Sequence, residues 1–445
     1  MCVFWDLRRN LLLALLLVAQ TFCFTGANAK NYSGRSADEV YMYEAAISGQ
    51  TAVVEEFLAK GLNVNVTNEE GWNVLHVAAR QGYLKLAEMI FRTSRSIHIN
   101  AQTVEGWTPL HMACYVNHLD MVKLLVKKGA NLNLTNTDEL TALHIASEKG
   151  NLEMVEFLLN NDSDWRSNIN ATNYVNWTAL HLAAFGKHFD VVRALIDRGA
   201  NLNVVDNDGW SVLHVAVDQG HEDIVGELLS SGKERGLKID NKDAEGWTAL
   251  HLAAFKGYNR IISELISHGA NINESTKEGW TALHIAAQQD MVEAVRGIAS
   301  EGTVSSIINA KNSEGFTAMH LATADGNLDV VDVLIEKGAS LNSTSSEGWT
   351  VLHEAAYRGD APLVDLILKK SFERDADILN VQADGGWTAL HLAAAQGGVE
   401  VAEVLLHYKA KYNIRDEDGM TPADHAKAVG NFELVDMLAL ERRKP

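Results

Sequence analysis

With 445 residues, 47% of them hydrophobic and 22% charged, and only 4 prolines, the chain has the composition of a folded protein, which excludes a disordered or fibrous one. Its length exceeds what a single hydrophobic core usually fills. A formal charge of −20 disfavours nucleic acid and anionic membranes and favours basic partners.

In chain order, the first segment is MCVFWDLRRNLLLALLLVAQTFCFTGANA, residues 1–29. Arg8 and Arg9 make a short basic start, residues 11–18 an apolar run, and Ala27-Asn28-Ala29 a small-x-small ending. That is the anatomy of a secretory signal peptide cut after Ala29. The apolar run is shorter than the roughly 20 residues of a bilayer span. The expectation is a secreted, extracellular chain with no membrane span after cleavage. A lumenal or periplasmic destination, or retention by an uncleaved N-terminal anchor, is the alternative. Residues 30–37 read as a short linker. Cys2 and Cys23 fall in the leader, so Cys114 is left alone and no intrachain disulfide can form.

From residue 38 onward one unit recurs. A degenerate first copy contains Tyr43 in YMYEAAISG, and the tetrad T-x-L-H then places His76, His111, His144, His181, His214, His251, His284, His320, His353 and His391, with Asp424 in the same position of TPADHA. Successive spacings are 35, 33, 37, 33, 37, 33, 36, 33, 38 and 33. Such self-similarity marks a solenoid, in which one unit cannot bury its apolar face until it stacks on the next.

Within the unit each feature has a mechanical role. Thr248 is placed to cap a first helix carrying LHLAA, and Gly257 to end it. NRIISELI then repeats apolar residues at helical spacing, Gly269 stops that helix, and STKEGW turns the chain into the next copy. Short copies end their second helix with Gly61, Gly129, Gly199, Gly269 or Gly338; long copies replace that glycine with two to five extra residues, as in SSGKERGLKID. The period is therefore a pair of copies. Duplication of a two-copy block explains this, and so does a bulge at every second layer for a partner to read. Both ends, SADEVYMYEAAISG and NFELVDMLALERRKP, show polar residues where inner copies face a neighbour.

The tetrads TPLH at Thr108 and TALH at Thr141, Thr178, Thr248, Thr281 and Thr388 resemble the ankyrin repeat family over residues 38–440, in about twelve copies, before a tail at 441–445. The resemblance implies an all-α repeat solenoid of helix-turn-helix layers joined by β-hairpin-like turns. It also implies that each tetrad His bonds its own Thr and the backbone of an adjacent layer.

Chemistry-bearing constellations are not found in the sequence. Ten of the 17 His are tetrad residues, one per copy, and do not converge as ligands. There is no phosphate loop, zinc-type cysteine pair or nucleophile-base grouping, so no catalytic, metal or cofactor residues are expected and the chain reads as a non-enzyme. Cys114 takes a small-residue position and is expected to be buried. Of eight N-x-S/T sequons, Asn65, Asn133, Asn170, Asn273 and Asn342 share one repeat position, where the resemblance implies local bonding beside the turn. Asn31 and Asn161 are the better acceptors for N-glycosylation.

One position stands apart. Between the turn glycine and the capping residue lie Trp72, Trp107, Leu140, Trp177, Trp210, Trp247, Trp280, Phe316, Trp349, Trp387 and Met420; eight of the 10 Trp occupy it. An acid precedes the glycine at Glu70, Glu105, Asp208, Glu245, Glu278, Glu314, Glu347 and Asp418. Stacking sets these as parallel aromatic and acidic rows, which by resemblance lie on the concave face. Either the indoles shield neighbouring turns, or the rows form a groove for a basic or extended protein segment. Eight half-covered indoles would supply roughly 600–1,000 Å², against about 800 Å² per partner in a standard interface. A secreted protein-binding solenoid is the leading expectation. An exported toxin or effector of ankyrin type, or an acidic extracellular matrix protein, is the alternative.

Overall fold

The computed structural model describes residues 35–441 other than 95 and 300–303. The expected leader at 1–29, Asn31 and the last four residues lie outside it. The chain divides into two compact units, 1–207 and 208–445. Within the described residues of each, antiparallel helix pairs succeed one another, from Ala37–Ile47 with Thr51–Ala59 to Phe432–Glu441, and no strand longer than an isolated bridge at Ser275 and Thr281 interrupts them. This is an all-α repeat solenoid. None of the described helices is long and apolar enough to cross a membrane.

The pair Ala249–Lys256 and Asn259–Ser267 shows how the sequence builds a layer. Thr248 caps the first helix, and Gly257 ends it at φ 69°, a left-handed conformation that glycine adopts without strain. Leu250, Leu252, Ala253 and Ala254 from the first helix and Ile261, Ile262 and Leu265 from the second are buried. Burial of each large apolar side chain stabilises the layer by about 1.5–3 kcal/mol. First helices pack on first helices and second on second within each unit. Cys114 is fully buried in this core, which pushes its thiol pKa up and leaves it inert.

The alternation of copy lengths has a structural counterpart. Short copies have second helices of nine residues, such as Asn259–Ser267 and Leu328–Glu336. Long copies extend theirs to Glu222–Arg235 or Ala361–Glu373, or add a one-turn helix at Trp165–Asn168 or Val304–Ile307. The extra residues reach back to the preceding short copy: Asn168 Nδ2 donates to Asn133 Oδ1 at 2.7 Å, and Ser306 Oγ to Asn273 Oδ1 at 2.7 Å. His98 N donates to Asn65 Oδ1 at 2.7 Å, and Arg374 donates to Ile335 O and Ala339 O.

Long copies in turn accept from the next short copy, at Asn100 from Asn131 N, Asn170 from Asn201 N, Asp240 from Asn271 N, Asn309 from Ser340 N and Asn380 from Lys411 N, all at 2.7–2.9 Å. The repeated asparagine therefore joins layers. The expectation of local bonding beside the turn is corrected in part. Asn273 Nδ2 donates locally to Asn271 Oδ1 at 3.3 Å, but at Asn65, Asn133, Asn170 and Asn273 the carboxamide also spans the gap between adjacent turns. Asn161, in the insertion of a long copy, is exposed, and its Nδ2 donates to Phe157 O at 2.8 Å. At the C-terminal end, Val429, Phe432 and Leu440 are exposed, so the last pair is less polar than its sequence suggested.

Candidate partner-binding surface

The tetrad histidine organises the surface. His251 Nδ1 accepts from Thr248 N–H at 3.1 Å and lies 2.8 Å from Thr248 Oγ1, while Nε2 donates to Trp280 O at 3.0 Å in the next layer. It thus takes the part that glutamate plays in a capping box and adds a bridge to the next turn. The bridge continues along the second unit, from His214 to Trp247 O, His284 to Phe316 O, His320 to Trp349 O, His353 to Trp387 O and His391 to Met420 O. Burial holds these rings neutral: the pKa values of His76, His111, His144, His214, His251 and His320 are lowered to about 4. The tetrad histidines are architecture, as the resemblance implied, and no group of potential metal ligands occurs among the described residues.

Nine of the turns are closed by a polar residue at one fixed offset before the row residue. Four positions before the row residue, Asn68, Thr103, Asn136, Asn173, Asp243, Thr276, Asn312, Ser345 or Asp416 accepts that residue's N–H through its side chain. The signal was present as a polar residue at a fixed offset. Carbonyls of the acidic row then accept from the next turn: Glu70 from Val104 N, Glu105 from Thr137 N, Asp208 from Ala244 N, Glu245 from Lys277 N, Glu278 from Ser313 N, Glu314 from Ser346 N and Glu347 from Asp384 N. The two rows therefore run side by side within each unit. The turn glycine is required as well: a Cβ at Gly71, φ 83°, would lie 2.9 Å from Thr103 Cα.

Side chains in the two rows differ in exposure. Trp72, Trp107, Trp177 and Trp247 are buried, at 2–8% exposure, while Trp210, Trp280, Phe316, Trp349 and Trp387 are partly covered. None is fully exposed. The residue eight positions further on, in the first helix, supplies a cover for each buried tryptophan. Tyr115 covers Trp107 with ring centroids 5.6 Å apart, Phe185 covers Trp177 at 5.5 Å, Phe255 covers Trp247 at 6.0 Å, and the guanidinium of Arg80 lies 5.3 Å over Trp72.

For the partly covered residues this position holds Asp218, Gln288, Ala324, Tyr357 or Ala395. Asp218 is paired with Lys256 at 3.0 Å, and Tyr357 is itself 52% exposed. The five partly covered rings offer roughly 300 Å². A standard interface of about 800 Å² per partner must draw the rest from the acids and the first helices.

The acidic row is half-buried at Glu70, Glu105 and Asp208 and exposed at Glu245, Glu278, Glu314, Glu347 and Asp418. Burial, then the charge of Asp138, raises the Glu105 pKa. Asp138 sits at the acidic position of its own copy and was missed because Glu139, φ 59°, replaces the turn glycine there. The carboxylates of Glu245, Glu278, Glu314 and Glu347 form no hydrogen bond or ion pair among the described residues.

Family-model comparison matches ankyrin repeats over residues 42–91, 95–169, 166–239, 233–309, 298–379 and 352–444. The chain belongs to the ankyrin repeat family. Ankyrin repeat arrays are generally non-enzymatic scaffolds for protein interaction. Among curated proteins, it is 43% identical to Inversin from Danio rerio over 47 residues, 11% of the chain and 5% of that protein. It is 29% identical to the nuclear factor NF-kappa-B p105 subunit from Gallus gallus over 126 residues, 28% of the chain and 13% of that protein. The chain thus spans only a small part of the curated relatives it matches. Among solved structures, the ankyrin repeat domain of Bcl-3, a member of the IkappaB protein family, matches with a TM-score of 0.48 and 26% identity, over 52% of this chain and 100% of that one.

Proposed function

We propose that this ankyrin array is a secreted, non-enzymatic binding protein whose second unit captures a basic, extended segment of a protein partner. In this reading residues 1–29 are a cleaved signal and residues 38–440 form twelve repeats. The carrying observation is the run of unpaired carboxylates at Glu245, Glu278, Glu314 and Glu347 beside the partly covered rings of Trp280, Phe316 and Trp349. Carboxylates steer and pair a cationic segment, and ring faces add cation–π and apolar contact. A solenoid suits such a ligand because its surface is extended in one direction.

The test uses a fluorescein-labelled octalysine peptide and the full chain lacking residues 1–29. Wild type binds, salt weakens the complex, and the triple variant Glu278→Lys, Glu314→Lys, Glu347→Lys loses it. Equal binding by the triple variant refutes the surface. Export is tested separately by expression in a secretory eukaryotic cell, where the chain is recovered from the medium beginning at Lys30. Retention with residues 1–29 intact refutes the secretion reading.

A further inference from the structure

The fourth residue of each first helix, two after the leucine of the tetrad, is apolar in nearly every copy. It is Val77, Met112, Ile145 and Leu182 in the first unit and Val215, Leu252, Ile285, Leu321 and Leu392 in the second, all buried at 9% exposure or less. Its geometry explains the preference, because a residue just before a helix cap and the fourth residue inside the helix form a hydrophobic staple. The residue just before the cap is the row tryptophan. In the helix Val351–Arg358 that fourth position is Glu354, only partly exposed.

Nothing in the fold compensates this carboxylate. It forms no hydrogen bond or ion pair among the described residues, and the charge that acts on it is the like charge of Glu347. Its own helix packs on Ala318–Asp325, Ala389–Gln396 and Ala361–Glu373. These bring Leu321 and Leu392 at the corresponding position, both buried. The imidazoles of His320, His353 and His391 are held neutral by burial and supply no positive charge. Arg358, one turn along, donates to Ala324 O at 2.9 Å and lies 3.8 Å from Asp360. Burial, then Glu347, accordingly raises the Glu354 pKa to about 7. A leucine here would complete the staple, so the carboxylate costs stability that the array does not need to spend.

Resting on the binding reading above, we propose that Glu354, with Glu347, Trp349 and Tyr357, forms a subsite for one basic side chain of the partner. The ring of Trp349 lies 5.4 Å from that of Tyr357, edge to face, and Tyr357 is half-exposed. A lysine or arginine entering there meets two carboxylates and two aromatic rings, and its charge relieves the repulsion between Glu347 and Glu354. In the other copies of the second unit the equivalent position is apolar, at Val215, Leu252, Ile285, Leu321 and Leu392, or is His425, already paired with Asp416 at 2.7 Å. The subsite therefore fixes the register of a repeating basic segment along the surface.

The experiment compares octalysine binding by wild type, Glu354→Gln, Glu354→Leu and Glu433→Gln, the last removing the same charge from an exposed site on the final helix. Glu354→Gln weakens binding by about tenfold, as expected for a charged hydrogen-bonded pair. Glu433→Gln changes it by less than about twofold. Glu354→Leu loses binding to the same degree while raising the Tm. Wild-type affinity in Glu354→Gln, with binding still lost in the triple Glu278/Glu314/Glu347 variant, overturns the subsite and spares the surface. A lower Tm in Glu354→Leu makes the carboxylate structural and overturns the subsite. Failure of wild type to bind octalysine overturns both readings.

Discussion

In the first unit every residue of the aromatic row is buried, Trp72, Trp107, Leu140 and Trp177 alike; in the second, Trp247 alone is buried and the others are partly open. The local sequence around the row hardly differs, since WTALH occurs in both. What differs is the side chain eight residues on: Arg80, Tyr115 and Phe185 lie against the first-unit tryptophans, whereas Gln288, Ala324 and Ala395 leave their partners open in the second. A tryptophan in this row is buried where Arg80, Tyr115, Phe185 or Phe255 closes over it, whereas Tyr357, itself half-exposed, leaves Trp349 partly open at a ring separation of 5.4 Å. Exposure of the row thus differs between the two units.

The largest effect expected from this division is on stability. Trp177→Ala empties a covered pocket at 2% exposure and should cost about 3–5 kcal/mol. Trp280→Ala removes a ring already partly in water and should cost less than about 2 kcal/mol. Denaturant midpoints of the two variants measure the difference. Equal losses would mean that the cover has no energetic weight.

A second effect should spare the division, because it acts on the architecture common to both units. His76, His111 and His144 in the first unit and His214, His251 and His320 in the second have folded pKa values lowered to about 4, against about 6.5 unfolded. Between these values the unfolded chain binds more protons, so stability is full above pH 6.5 and is lost as pH falls toward 4. Each such ring accounts for up to about 3 kcal/mol of that loss. A Tm followed from pH 7.5 to 4.5 should fall steeply below pH 6.5, and both units should melt together in temperature. Glu354 opposes the trend: its raised pKa takes stability away as pH rises from its unfolded value toward 7. Glu354→Leu should accordingly gain most in Tm above pH 7, by about 2 °C.

Much of this fold was readable in the sequence because solenoid layers repeat their local chemistry. Thr248, His251, Gly257 and Gly269 announce cap, bridge and helix ends at fixed offsets, and the structure uses each as expected. The cover over the aromatic row was not readable in the same way. Phe255 and Gln288 occupy one repeat position but look like ordinary variation at the end of a first helix, and only the packing shows that Phe255 closes over Trp247. The stitching asparagines were misread for a related reason. Asn133 and Asn168 are 35 residues apart, and nothing local in either segment signals that an insertion in a long copy reaches back to a short one. Glu354 was legible as a deviation from an apolar column, but its significance depends on which neighbours leave it unpaired.

The finest test of the comparison transplants a cover from one copy to another. Gln288 stands eight residues after Trp280, as Phe185 does after Trp177. Both lie on short first helices, Ala282–Gln288 and Ala179–Phe185, with the same capping histidine geometry. In Gln288→Phe the new ring should settle against the Trp280 indole, tilted as Phe185 is on Trp177 or edge-on as Phe255 is on Trp247. Such a pair adds about 0.5–1.5 kcal/mol beyond its burial. Acrylamide should then quench the chain's tryptophan fluorescence less, and octalysine affinity should fall because Trp280 is no longer offered. The reverse change, Phe255→Gln, should open Trp247 to quenching and lower stability by a similar amount. If covering Trp280 leaves octalysine binding intact, the aromatic row is structural in both units and the acids alone hold the basic segment.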